Sequence, residues 1–397
     1  MIAARELSSE ELVSTCLARI AEREPALRAW AHLDADAALA QARERDGEPP
    51  RGPLHGIPVG VKDIIDTADM PTTYGSPIYA GHRPARDADC VTALREAGAV
   101  VLGKTVTTEF ATYQPPPTVN PHDPARTPGG SSSGSAAAVA AGMVPLAFGT
   151  QTAGSVIRPA SFCGIAGFKP AHGWRSTAGI KRLSERLDTL GLLARSVADV
   201  ALFGGFAAPQ PRERLAFART PWWDELEVGG RSAFEAAVSR VGAEALELPP
   251  EFGGLPAAQE TAMAFDVARN LEPEWREHRD GLSDVMRDYL DGARKVTEED
   301  ARAAVALRDR CRSAFGTVID GFDALLVPGV LGEAPLRSEG HTGSPLLCRP
   351  WTLLGVPAFS VPGMLGPAGM PVGVQLVGLE AEAVLGAAAC VEGRLRA

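Results

Sequence analysis

"GGSSSGSAAAVAAGMVPLAFGTQTAGSVIRP", residues 129–159, decides how the chain is read. Its first six residues have the composition of a flexible linker. A linker lies between polar surfaces, but this one runs straight into "SAAAVAAGMVPLAF", which must be buried. A Gly/Ser loop pressed against a core has backbone work to do. Glycine allows close approach and serine hydroxyls donate and accept hydrogen bonds. Downstream, "TAGS" ends in Ser155, which reads alone as a helix N-cap. A short helix and strand between the two ends would bring both serine clusters to one sheet edge. That edge is where loop-borne chemistry sits in α/β folds.

Outward from this stretch, strand and helix signals alternate. Ser8 to Arg23 reads as an amphipathic helix with a Ser8/Glu11 capping box, and Asp34 to Arg45 as a second helix. "IPVGV" (57–61) is a strand leading to Lys62, followed by a helix at Asp89–Ala97 and the strand "AVVL" (99–102). The proline-rich 114–130 segment is loop, Ser135–Gly142 a buried helix, "VPLAF" (144–148) and "GIAGF" (164–168) strands. Helical patterns dominate 231–312, then strands at 323–329, 357–363 and 370–378 precede a final helix. The pattern predicts an α/β fold: a single large mixed, mostly parallel-type sheet covered by helices. The expected organisation is one domain over 1–397 with a helix-rich insertion around 210–320.

Composition excludes several classes. With 39 basic and 49 acidic groups the net charge is −10, which argues against nucleic acid or an anionic membrane as main partner. The six cysteines form no C-x-x-C pair, and the first twenty residues carry three acidic groups and no apolar core. A reduced, cytoplasmic protein without a signal peptide is expected. The scattered histidines suggest neither metal nor other cofactor. "GAVVLGKT" (98–105) matches the Walker A letters, but its variable positions read as a strand core, so no phosphate site is expected.

No histidine is placed by any pattern to activate a serine. A desolvated lysine can serve as base instead. Lys62 ends the apolar run "GIPVGVK"; read alone, it is a strand-end lysine reaching solvent or pairing with Asp63 or Asp66.

At this point the chain resembles the amidase signature family. The likeness rests on residues 129–170, on "GIPVGVKDIIDT" (56–67), on "GAVVLGKTVTTEFA" (98–111), and on segments 187–203 and 351–378. It implies a Ser–cis-Ser–Lys triad: Ser155 as nucleophile, Ser131 as bridging serine with a cis peptide after Gly130, and Lys62 as base. It further implies an oxyanion hole from the backbone of Thr152, Ala153, Gly154 and Ser155, with Ser132 supporting the network. Three departures stand out: Gln151 replaces a common Asp, Ala153 a common glycine, and Arg158 is displaced within "SVIRP". This form looks like a malonamidase-like branch acting on small carboxylate-bearing amides, in which Arg158, Thr150 and Gly130 contact substrate. Arg158 reads otherwise as a structural ion pair. The implied activity is hydrolysis of a small linear amide, with no cofactor and a homodimer as the common assembly. The alternatives are the amidase component of a tRNA-dependent amidotransferase, which needs a partner protein, and a non-catalytic relative.

Overall fold

The computed structural model describes residues 6–396. Eleven strands build its sheet: β1 (Trp30–Leu33), β2 (Pro58–Lys62), β3 (Val100–Thr105), β4 (Leu146–Gln151), β5 (Ala166–Lys169), β6 (Thr189–Ala194), β7 (Leu215–Phe217), β8 (Glu244–Ala245), β9 (Ala324–Pro328), β10 (Ala358–Leu365) and β11 (Pro371–Val377). Their order is β1-β3-β2-β4-β6-β5-β10-β11-β9-β7-β8. Strands β2 to β6 and β11 are buried along their whole length, as a sheet covered by helices on both faces requires.

The single mixed, helix-covered sheet is as expected, but its pairing is not mostly parallel. Parallel pairs are confined to β2 with β3 and β4, and β7 with β8 and β9; the other six pairings are antiparallel. The reason lies in the connections. A parallel pair needs a crossover, and the helices Asp89–Glu96 and Ser133–Ala140 supply one after β2 and one before β4. In the middle of the sheet, β5 reaches β6, and β10 reaches β11, through loops without an α-helix, which return the chain antiparallel.

Local signals mark most element ends. Ser8 Oγ accepts from Glu11 N at 3.0 Å and Glu11 Oε2 from Ser8 N at 2.8 Å, so the capping box opens the helix Ser9–Leu27. Asp34 Oδ1 caps Ala35–Asp46 by accepting from Ala37 N at 3.0 Å. The Walker-like run lies in β3, whose backbone is paired with β1 and β2 and has no loop to wrap a phosphate. The segment 210–320 holds the helices Val228–Val241, Leu255–Asn270, Glu272–His278, Asp284–Ala293 and Glu298–Val318, together with β7 and β8. Edge strand β1 and the short β7 and β8 carry too few residues to announce themselves by pattern.

Strands β2 and β4 are parallel neighbours, so their carboxyl ends, Lys62 and Gln151, emerge at the same edge. The helix Ser133–Ala140 lies against this edge because it is built of small residues. Gly134 N donates to Val106 O at 2.9 Å, and a Cβ on Gly134 would run into the carbonyl of Ala29 and the amide of Val106. Gly134→Ala is expected to cost about 1–3 kcal/mol through overpacking. Urea denaturation measures this; an unchanged midpoint would show that the backbones are not in close contact.

Candidate active site

Lys62 is fully buried at the end of β2. Its Nζ donates to Ser131 Oγ at 2.7 Å and to Thr150 Oγ1 at 2.8 Å, with Thr150 O at 3.5 Å. It forms no ion pair among the described residues. The neighbouring carboxylate, Asp63, is taken by Lys104 at 3.3 Å and by Thr73, whose amide and hydroxyl donate at 3.1 and 2.5 Å. Burial therefore holds the Lys62 amine well below the usual lysine range, and the charge of Asp188 acts the other way without outweighing it.

The Gly130–Ser131 peptide is cis. Ser131 follows the loop whose Gly129 has φ 83° and packs against Pro159, a position no side chain could share. Ser132 N donates to Ser155 O at 3.3 Å, while Ser132 Oγ meets Thr150 N and O at 3.3 and 3.4 Å. The two ends of the 129–159 stretch thus touch directly. Ser155 Oγ makes no hydrogen bond among the described residues, including none to Ser131 Oγ.

The turn Thr152–Ser155 has a consistent polarity. Each of its carbonyls is used: Thr152 O accepts from Gln259 Nε2 at 2.8 Å, Ala153 O from Thr352 Oγ1 at 2.6 Å, Gly154 O from Arg158 N at 3.0 Å, and Ser155 O from Ser132 N. None of its four N–H groups donates to any described residue. Gly154 packs closely on Cys348, whose side chain a Cβ there would meet at 3.0 Å. Ala153 lies outside the left-handed region, so it stands in for glycine without backbone strain. Gln151 does what an aspartate would do at a helix start. Its Oε1 accepts from Val156 N and Ile157 N at 2.9 and 3.1 Å, capping the helix Ile157–Cys163, and its Nε2 donates to Thr352 Oγ1 at 2.9 Å.

Arg158 and Ser155 line one small chamber together with Tyr113, Met263, Gly343 and Pro345. Arg158 is 5% exposed and has no acidic partner among the described residues. Its Nη2 donates to Gly130 O at 2.6 Å and to Thr342 Oγ1 at 3.3 Å, while Nε and Nη1 are buried without an acceptor. Burial lowers its pKa to about 10, which leaves it charged at neutral pH. The structural ion pair, the alternative reading of Arg158, is not formed among the described residues. Thr150, expected beside Arg158, instead has its hydroxyl on Lys62. Gly130 meets Arg158 through its carbonyl. Site residues not assigned from the sequence are Asp188, which accepts from Thr152 Oγ1 at 2.6 Å, and Gln259, Thr342 and Thr352, which reach the site from distant segments.

A buried serine, a desolvated amine and a turn of free N–H groups on an 11-stranded mixed sheet belong to a hydrolase of amide C–N bonds. The chain belongs to the Amidase family, whose sequence model matches residues 11–225. The A component of the glutamyl-tRNA(Gln) amidotransferase of Chloroflexus aggregans (strain MD-66 / DSM 9485) is 36% identical, over 95% of this chain and 91% of its own. Among solved structures, one described as the crystal structure of amidase superposes with a TM-score of 0.90 at 32% identity, covering 99% of this chain and 98% of that one. The peptide amidase PAM, in complex with the competitive inhibitor chymostatin, gives a TM-score of 0.86 at 31% identity, covering 100% and 96%.

Gln151→Leu would leave two buried amides without an acceptor. We expect a stability loss of about 1–3 kcal/mol in urea denaturation. A stability equal to the parent would mean that water replaces the amide oxygen and that Gln151 does not organise the turn.

Proposed function

We propose that this chain hydrolyses a small linear amide bearing a carboxylate, through a Ser155–Ser131–Lys62 relay. Neutral Lys62 accepts the Ser131 proton as Ser131 accepts that of Ser155. Ser155 Oγ then bonds to the amide carbon, and the oxyanion that forms is held by the free N–H groups of the 152–155 turn. Collapse breaks the C–N bond. The proton returns from Lys62 through Ser131 to the leaving nitrogen, and water repeats the attack on the acyl-enzyme to release a carboxylate. The absence of a Ser131–Ser155 hydrogen bond is compatible with this scheme, because catalytic contacts are commonly loose before substrate binds.

The observation that carries the substrate class is Arg158: a buried guanidinium, free of any described acid, in the same chamber as Ser155. Unpaired donors on a buried charge are costly, and a substrate carboxylate would supply both an acceptor and the counter-charge that Arg158 lacks. The chamber, about 40 Å³, favours a short acyl group. This agrees with the malonamidase-like reading of "GTQTAGSVIRP". The identity to an amidotransferase component over 95% of the chain supports a second reading, in which the same chemistry releases ammonia inside a multi-protein assembly. Stimulation of amide hydrolysis by tRNA together with a co-purified partner protein would favour it.

Ser155→Ala is expected to lose more than about a thousandfold in turnover. Arg158→Ala should lower kcat/KM for carboxylate-bearing amides by roughly a hundredfold. For neutral amides of the same length the loss should stay below about tenfold; equal losses on both would remove the carboxylate from the scheme. Because Lys62 acts as the neutral amine, activity should rise with pH through its titration. Its lowered pKa puts that rise well below the ordinary lysine range of about 10.4. A kcat/KM profile that climbs only near that value would contradict the assignment.

A further inference from the structure

Asp188 lies one residue before β6, beside the place where β4 gives way to the 152–155 turn; Gln151 and Thr189 are paired in that ladder. Its Oδ1 accepts from Thr152 Oγ1 at 2.6 Å, and its Oδ2 accepts from the amides of Leu183 and Ser184 at 2.8 and 3.0 Å. Both oxygens are thus committed, one to the turn and one to the loop that supplies Leu183 to the Ser155 chamber. Thr152 is held from the other side by Gln259 on its carbonyl. A small cavity of about 10 Å³ separates Asp188 from Thr150, the residue whose hydroxyl accepts from Lys62.

We propose that Asp188 is a positioning residue for the reaction: it locks Thr152, and with it the N–H groups of the 152–155 turn, while supplying an anion on the Lys62 side of the site. The inference rests on the triad reading above. Three other titratable groups lie around Asp188: Lys181, Asp266 and Lys62. Lys181 lines the same cavity but is paired with Glu274. Asp266 approaches from the helix Leu255–Asn270, is paired with Arg186, and accepts from Ser184 Oγ at 2.6 Å. Lys62 is therefore the one neighbouring amine without a carboxylate of its own among the described residues. Burial raises the Asp188 carboxyl to about 6, against the pull of its Thr152 and backbone donors.

The test compares Asp188→Asn, Thr152→Val and Thr152→Ser by kcat/KM against pH on one small amide, with fluorophosphonate labelling of Ser155 in each. Asparagine removes the charge and replaces one acceptor oxygen with an NH2 donor, so either Thr152 Oγ1 or the Leu183 and Ser184 amides lose their acceptor. It should lower kcat/KM about tenfold or more. It should also move the acid limb to lower pH, because the charged form of Lys62 loses a nearby anion. Thr152→Val breaks the link but keeps the anion, so the rate should fall with the limb unmoved, and Thr152→Ser should restore the rate. A parental rate and profile in Asp188→Asn, or a parental rate in Thr152→Val, overturns the inference. If Asp188→Asn does not fold, the Val/Ser pair decides alone. Failure of the wild-type Ser155 to label overturns the triad reading and this inference with it. Labelled Ser155 with unaltered variants overturns this inference only.

Discussion

A primary amine buried with only neutral partners sets the terms for everything around it. Lys62 lies in the interior of the sheet, and its contacts are two hydroxyls and a carbonyl. A charged ammonium there would lack the counter-ion that burial demands, so the neutral base is the form the fold favours. The arrangement depends on keeping carboxylates out of direct contact with the amine. Residue 63 follows directly in sequence, yet its carboxylate is turned to Lys104, Thr73 and the loop beyond. Two buried lysines at neighbouring strand ends are thus handled in opposite ways: Lys104 has an ion pair, and Lys62 has only desolvation.

The nucleophile side obeys a complementary rule. A turn can offer N–H groups to a developing negative charge only if its carbonyls point elsewhere and are satisfied. Here the four carbonyls are held by Gln259, Thr352, the amide of Arg158 and the amide of Ser132. These holders come from the helix Leu255–Asn270, from the short helix Arg349–Leu353, from the helix Ile157–Cys163 and from the Gly/Ser loop. The site is therefore rigid because several distant parts of the chain converge on one short turn, which is how donors stay preorganised.

Much of this was legible in the sequence because it is local. The Gly/Ser loop, the buried small-residue helix, β4 and the Ser155 turn are contiguous, so one stretch of thirty-one residues displays both ends of the site. Lys62 ends an apolar run, which alone reads as a strand-end lysine, and it took the family likeness to mark it as the base. The long-range terms were not legible: Thr352 lies 199 residues from Ala153, and Gln259 lies 107 from Thr152. No periodicity marks such a partner. Asp188 had a weak signal, as the acid of "LDTLGLL" in a segment already similar to the family, but nothing local shows it reaching Thr152. The expectation of a mostly parallel sheet failed for a related reason. Strand–helix alternation is real near β2 to β4, and the antiparallel centre is set by loops whose direction the sequence does not state. Gln151 is the instructive substitution: it departs from the common Asp yet keeps the capping oxygen and gains a donor for Thr352.

The most direct measurement is the ionisation of Lys62 itself. In protein labelled with ¹⁵N-lysine, the Nζ resonance that vanishes in Lys62→Met can be followed through a pH titration. A midpoint well below about 10.4, with the neutral amine populated where the enzyme turns over, is the predicted result. An ammonium that persists to the ordinary lysine value would contradict the account, because Lys62 would then have no lone pair with which to start the relay.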